Sequence, residues 1–223
     1  MRTLVIAPHA DDELLGCGGT LLRRIEEGGD VGWILMTDMV EGPIWSSEAV
    51  ERRALEIDQV RMELSISPSS FFAYRYPTGQ LDLVPMSELV TKISKSIEVF
   101  RPDEVFLPFP GDAHSDHRVT FDAASAASKY FRAPSIRRIL VYETPSETDF
   151  DINPCRQKFD PSVYINIAGQ FEKKIALLKI YKDELGDFPF PRSFENLKSL
   201  ARVGGAQSGF SFAERFMLLR EYL

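Results

Sequence analysis

The chain has 223 residues, 44% of them hydrophobic and 26% charged, which is enough for one sizeable core and too apolar for wholesale disorder. A net charge of -7 comes without any basic stripe, since Arg52-Arg53 and Arg137-Arg138 are isolated pairs, so a nucleic-acid partner is not expected. Neither a leader pattern nor a run of 18 apolar residues is visible, and Cys17 and Cys155 have no metal-ligand or disulfide-framework spacing; together these predict a cytoplasmic protein with reduced thiols and no integral membrane segment.

Taken in chain order, Thr3-Leu4-Val5-Ile6-Ala7 reads as a fully buried parallel strand that Pro8 ends. A helix from Glu13 carries Leu14, Leu15, Leu21, Leu22 and Ile25 and stops at Gly28-Gly29. Residues 31–37 form the second strand, 47–64 an amphipathic helix, 71–74 a third strand and 86–100 a further helix. Val105-Phe106-Leu107-Pro108 is the next strand, followed by a helix over 118–132 and a strand over 136–142. After a loop over 146–161, a late strand is expected at 163–167. Helices are expected at roughly 169–185, 194–202 and 211–222, with no linker that would divide 1–223 into two domains.

This alternation of strand and helix predicts an α/β fold, a mostly parallel, doubly wound sheet. Such sheets bind ligands beyond the carboxyl ends of their strands. The loops after the strands at 3–7 and 105–108 can therefore meet at one sheet edge.

Those two loops hold every histidine in the chain. His9 lies in Pro8-His9-Ala10-Asp11-Asp12-Glu13, and His114 and His117 lie in Asp112-Ala113-His114-Ser115-Asp116-His117. His9, Asp12 and His117 make a two-histidine, one-carboxylate set that leaves a tetrahedral Zn²⁺ with one open position. Zinc lowers the pKa of water held there towards 7. Asp11, beside a ligand, is the expected general base. His114 is the expected donor to the oxyanion and then acid for the leaving amine, with Asp116 orienting His114 or fixing its protonated form. Singly, a His-x-x-His pair is often structural and an Asp-Asp pair at a helix start is usually a cap. Their convergence on one sheet edge favours the metal.

Pro8-His9-Ala10-Asp11-Asp12-Glu13 followed by Gly16-Cys17-Gly18-Gly19, then His114-Ser115-Asp116-His117, resembles the LmbE-like (PIG-L) zinc-dependent de-N-acetylases along nearly the whole chain. The resemblance implies a three-layer, mostly parallel Rossmann-like sheet with helices on both faces. It also implies hydrolysis of an N-acetyl group on a glucosamine-type unit, with Zn²⁺ on His9, Asp12 and His117. By the same resemblance Arg53, in Arg53-Ala54-Leu55-Glu56, and Arg192, in Pro191-Arg192-Ser193, would contact a small amino-sugar substrate. Assembly as a homo-oligomer, trimer or hexamer, is likewise implied. The family commonly has Pro at Ala10 and Ser115 and a His where Phe190 stands, so the pocket's specificity is open at Phe190.

Two rivals fail on residues. A dinucleotide fingerprint needs Gly or Ala where Leu21 stands, and a phospho-receiver has no use for histidines at its acidic site. A zinc amidase for a larger conjugate, of the thiol-conjugate type, and a non-catalytic metal-binding relative stay open.

Overall fold

The structure, a computed structural model, describes residues 1–223. Strands β1 (Arg2–Ala7), β2 (Asp30–Asp38), β3 (Phe71–Pro77), β4 (Glu104–Pro108), β5 (Arg138–Tyr142), β6 (Val163–Asn166) and β7 (Ala213–Glu221) build one sheet. Its order is β3-β2-β1-β4-β5-β7-β6. The first five are mutually parallel, and β7 runs antiparallel to both β5 and β6. The helices are α1 (Asp12–Glu26), α2 (Ser47–Glu63), α3 (Met86–Phe100), α4 (Ser115–Ala127), α5 (Phe171–Leu178) and α6 (Phe194–Ser208).

Three layers follow from strand alternation. Successive side chains of a strand point to opposite faces. Val5 and Ala7 of β1, Trp33 and Leu35 of β2, and Phe106 of β4 face a core covered by α1, α2, α5 and α6. Leu4 and Ile6, Ile34 and Met36, and Val105 and Leu107 face a second core covered by α3 and α4. Each fully buried Leu, Ile or Phe contributes about 1.5–3 kcal/mol, and both faces are needed to hold a central strand. The glycines of α1 serve this packing. A Cβ at Gly16 would lie 2.2 Å from the Tyr142 ring and one at Gly19 would lie 2.9 Å from Ile167. Gly16-Cys17-Gly18-Gly19 is therefore a close-packed helix stripe. Cys17 is buried within it and donates to the Glu13 carbonyl at 3.3 Å.

Chain order reverses between β1 and β4, which are neighbours at the centre of the sheet. The loops that leave their carboxyl ends diverge towards opposite faces and open a crevice there. Both histidine motifs sit on those loops.

One expected element is overturned. Residues 211–222 were expected as a helix, and Ala, Glu, Arg, Met and Leu are good helix formers. They form β7 instead, in the slot between β5 and β6. Tertiary partners outweigh local preference here. The Glu214 carboxylate is buried, accepts from the backbone N–H groups of Gly19 and Thr20 at 2.9 and 2.7 Å, and pairs with Lys174 at 2.7 Å. The helix expected to begin at 118 begins at Ser115, which places His117 in its first turn. The long helix over 169–185 is α5 alone, followed by a 3₁₀ turn over Lys182–Glu184. No helix is long and apolar enough to cross a membrane.

Candidate active site

His9 lies on the loop after β1, Asp12 is the first residue of α1, and His117 comes from the first turn of α4. His9 Nδ1 and Asp12 Oδ2 are 3.4 Å apart, His117 Nε2 and Asp12 Oδ2 are 3.4 Å apart, and the two imidazole nitrogens are 3.3 Å apart. Donors about 2.0–2.1 Å from the centre of a tetrahedron lie about 3.3–3.4 Å from one another. The three atoms therefore have the spacing of one face of a tetrahedral metal site and could hold an ion.

Each imidazole is oriented from behind by a carboxylate. His9 Nε2 donates to Asp116 Oδ2 at 3.0 Å, and His117 Nδ1 donates to Asp112 Oδ2 at 2.7 Å. This fixes the tautomers, leaving His9 Nδ1 and His117 Nε2 as the free lone pairs. Asp112 is held in turn by the Thr148 hydroxyl at 2.6 Å, and Asp116 by the backbone N–H groups of Gly79 and Leu81 at 2.7 and 3.1 Å. Burial opposes the charge on both histidines, but Asp116 and Asp12 lift His9 to about 9, and Asp12 and Asp112 lift His117. Burial likewise opposes the Asp12 charge, and the two histidines override it and hold its carboxyl far down. An ion with two positive charges would displace the protons from both rings.

Asp116 does not do what the sequence suggested. Its carboxylate lies 3.9 Å from His114 Nδ1 and serves His9 instead. Its backbone N–H donates to His114 Nδ1 at 3.1 Å, which requires a neutral Nδ1. Burial and the charge on His9 push His114 down to about 4. His114 is thus a neutral ring with its proton on Nε2. The alternative donor group of His9, His114 and Asp116 fits an ion less well, because Asp116 Oδ2 already accepts from both His9 Nε2 and the Gly79 N–H, whereas Asp12 Oδ2 accepts only from the His9 backbone N–H, and the single lone pair of His114 Nδ1 is taken by the Asp116 N–H.

Asp11 stands at the N-cap of α1 with φ 132° and ψ -28°, a conformation that costs a non-glycine residue about 1–3 kcal/mol. Its side chain does not cap the helix. It reaches Arg192 Nη1 at 2.9 Å instead. Buried Glu13 steadies the turn by accepting from Asp11 N at 3.1 Å and from the Tyr181 hydroxyl at 3.1 Å. Burial, with Asp12 and Glu184 nearby, pushes the Asp11 carboxyl up to about 7 against Arg192 and His9. Such a group changes protonation state near neutral pH.

Arg53 and Arg192 both line the cavity above these groups, whose volume is about 330 Å³. Arg53 is buried and engaged throughout: it donates to the Ala10 carbonyl at 3.0 Å, pairs with Glu56 at 3.2 Å and binds Glu184. Arg192 bridges Asp11 and Glu184, the latter at 3.1 Å, and lies over the Phe190 ring at 5.6 Å. Its Nε is buried without a partner, as is the Thr144 hydroxyl in the same cavity wall.

Sequence reasoning missed Asp112, Asp38, Glu13, Glu184 and Tyr181. Asp112 had a signal, as an acid five residues before His117, and so did Asp38, at the carboxyl end of β2 where such folds place ligand contacts. Glu184 had none, because it reaches the site only through the packing of a 3₁₀ turn.

Residues 4–128, more than half of the chain, match the family described as PIG-L, GlcNAc-PI de-N-acetylase. The chain belongs to this family and is an amide hydrolase, a de-N-acetylase. It is 24% identical to the diacetylchitobiose deacetylase of Thermococcus kodakarensis, over 96% of this chain and 81% of that protein. It is 25% identical to the 1D-myo-inositol 2-acetamido-2-deoxy-alpha-D-glucopyranoside deacetylase of Mycobacteroides abscessus, over 82% of this chain and 81% of that one. Among solved structures, the conserved protein TT1542 from Thermus thermophilus superposes with a TM-score of 0.77 at 28% identity, covering 99% of this chain and 96% of its own.

Proposed function

We propose that this enzyme is a zinc-dependent hydrolase that removes the N-acetyl group from an N-acetylglucosamine-type amino-sugar derivative and releases acetate. The observation that carries this reading is the donor triangle of His9, Asp12 and His117 with the Asp11 carboxylate beside it. Two imidazoles and one carboxylate at tetrahedral spacing suit Zn²⁺. The ion would supply Lewis acidity, polarising the amide carbonyl and making water more acidic.

The chain's own residues do the rest. Asp11, ionised, takes a proton from the attacking water as its oxygen bonds to the amide carbon. The His114 Nε2–H donates to the oxygen on which negative charge develops, a task for which a neutral ring is suited. The carbon–nitrogen bond then breaks, and the proton held by Asp11 passes to the amine nitrogen. Arg192 keeps the Asp11 carboxylate aimed at the cavity. Its Nε and the Thr144 hydroxyl are buried without partners behind the cavity wall. Arg53, with its guanidinium occupied, positions the Ala10 turn and Glu184 rather than gripping substrate.

Acetate release is the test, measured with zinc-loaded protein on free, nucleotide-linked and lipid-linked N-acetylglucosamines. Asp11→Ala should retain zinc and lose about 10²–10⁴ of the turnover. Absence of release from every amino sugar, with one zinc bound, would overturn the reading and point to a larger amide conjugate.

A further inference from the structure

Glu13 is a buried acid to which the reaction above gives no step. It is fully buried, and no arginine or lysine pairs with its carboxylate. A lone carboxyl in the interior is costly unless its partners require it there. Those partners are the Asp11 N–H and the Tyr181 hydroxyl, each at 3.1 Å. Tyr181 stands at the start of the 3₁₀ turn after α5 and is fully buried too. The Arg53 guanidinium lies over its ring at 5.2 Å and donates to the Ala10 carbonyl at 3.0 Å.

The Ala10 carbonyl and the Asp11 N–H are the two ends of one peptide group. Glu13 holds one end, Arg53 holds the other, and Tyr181 touches both of those side chains. The orientation of this peptide is what makes Asp11 unusual. Asp11 has ψ -28°, close to a helical value, and its carbonyl already accepts from the N–H groups of Leu14 and Leu15 at 3.0 and 2.8 Å. Only its φ of 132° is out of place. Turning the Ala10–Asp11 peptide through half a revolution would bring that φ to about -50°, and α1 would begin one residue earlier without strain. Neither Ala nor Asp resists a helical φ. The resistance comes from the two hydrogen bonds at the ends of the peptide, both of which the turn would break. The turn would also tilt the Asp11 side chain and displace its carboxylate by on the order of 1 Å, a misplacement that can cost about a hundredfold in rate.

We propose that Glu13, Tyr181 and Arg53 clamp the Ala10–Asp11 peptide in its strained orientation, which makes Glu13 and Tyr181 positioning residues for the base. Asp11 then depends on the segment after α5 as well as on the loop after β1. This rests on the reading of Asp11 as the base.

The experiment compares Tyr181→Phe, Glu13→Ala and Glu13→Gln with the wild type. Each protein is zinc-loaded, assayed for acetate release from N-acetylglucosamine and crystallised. Tyr181→Phe keeps the ring under Arg53 and removes only the hydroxyl, so kcat should fall about tenfold, with KM within about twofold and one zinc retained. Glu13→Ala frees the Asp11 N–H, so kcat should fall about a hundredfold and Asp11 should show a negative φ. Glu13→Gln offers an oxygen to the Asp11 N–H and an amide group to Tyr181, so it should keep the positive φ and at least about a third of kcat. A purely structural role would lower the unfolding midpoint and leave the kcat of the folded fraction unchanged, and that result would overturn the proposal. So would a positive Asp11 φ in Glu13→Ala, or a rise in KM in place of the loss in kcat. If Glu13→Ala does not fold, an unchanged kcat in Tyr181→Phe, or a loss in Glu13→Gln as large as in Tyr181→Phe, overturns it. If the wild type releases no acetate, the deacetylase reading is what fails, and the peptide orientation in the variant crystals still decides the clamp.

Discussion

The two halves of the sheet contribute to the site in different ways. The parallel half, from β1 to β4, delivers His9, Asp12 and His117, the proposed metal donors, and Asp11 and His114, the proposed base and oxyanion donor, from two short loops at the switch point. The C-terminal part, after β5, delivers Thr144, Glu147, Glu184 and Arg192, which surround the reacting groups without joining the donor triangle. Chemistry is thus concentrated in contiguous motifs, whereas the shape and polarity of the cavity come from scattered loops. A fold of this kind can keep its reaction while changing what surrounds it.

The contrast predicts where substitutions act. The largest effect belongs to the first region. His9→Ala removes one of three donors, so zinc stoichiometry by metal analysis should fall from one towards zero and kcat by at least about a thousandfold. Full zinc content in this variant would remove His9 from the ligand set. Next, on the other side of the contrast, is a purely structural loss. Glu214→Ala strands the buried Lys174 ammonium and two backbone N–H groups of α1, so denaturant unfolding should show a loss of about 3–5 kcal/mol. The folded fraction should still bind zinc as tightly as before. Weaker zinc binding there would mean that β7 is coupled to the metal site, and the division between the two regions would fail.

Asp112→Asn should weaken zinc binding by about 10- to 100-fold, because the carboxylate that orients His117 is lost while every ligand remains. The smallest predicted change concerns Arg192. Its charge holds the Asp11 carboxyl down, against burial. Removing it raises that carboxyl, and the base works only when ionised, so the acid limb of kcat/KM should move to higher pH in Arg192→Ala, by about one unit. A limb that stays in place would show that Asp11 is set without its C-terminal partner.

The same division separates what was legible in the sequence from what was not. The strand–helix alternation and the meeting of the two loops follow from apolar periodicity and from the switch-point rule, both of which act over short stretches. The histidine motifs were readable because each is a short contiguous stretch on one loop. β7 was not, since its helix-forming residues adopt a strand to pair with β5 and β6 and to place Glu214 on α1. The partner of Asp116 was misread for a related reason. Adjacency in sequence suggested His114, while the turn into α4 sends the carboxylate across to His9. For Arg53, expected to contact substrate, the pairing with Glu56 three residues on is local and readable, whereas the partners Ala10 and Glu184 come only from packing.

The central claim is that one ion sits on His9, Asp12 and His117, with Asp11 beside it and outside its ligand set. Crystals of the zinc-loaded enzyme, measured on both sides of the zinc absorption edge, test it most directly. The account predicts a single anomalous peak about 2.0–2.1 Å from His9 Nδ1, Asp12 Oδ2 and His117 Nε2. A peak held instead by His9 Nε2, His114 and Asp116, or one ligated by Asp11, would contradict it.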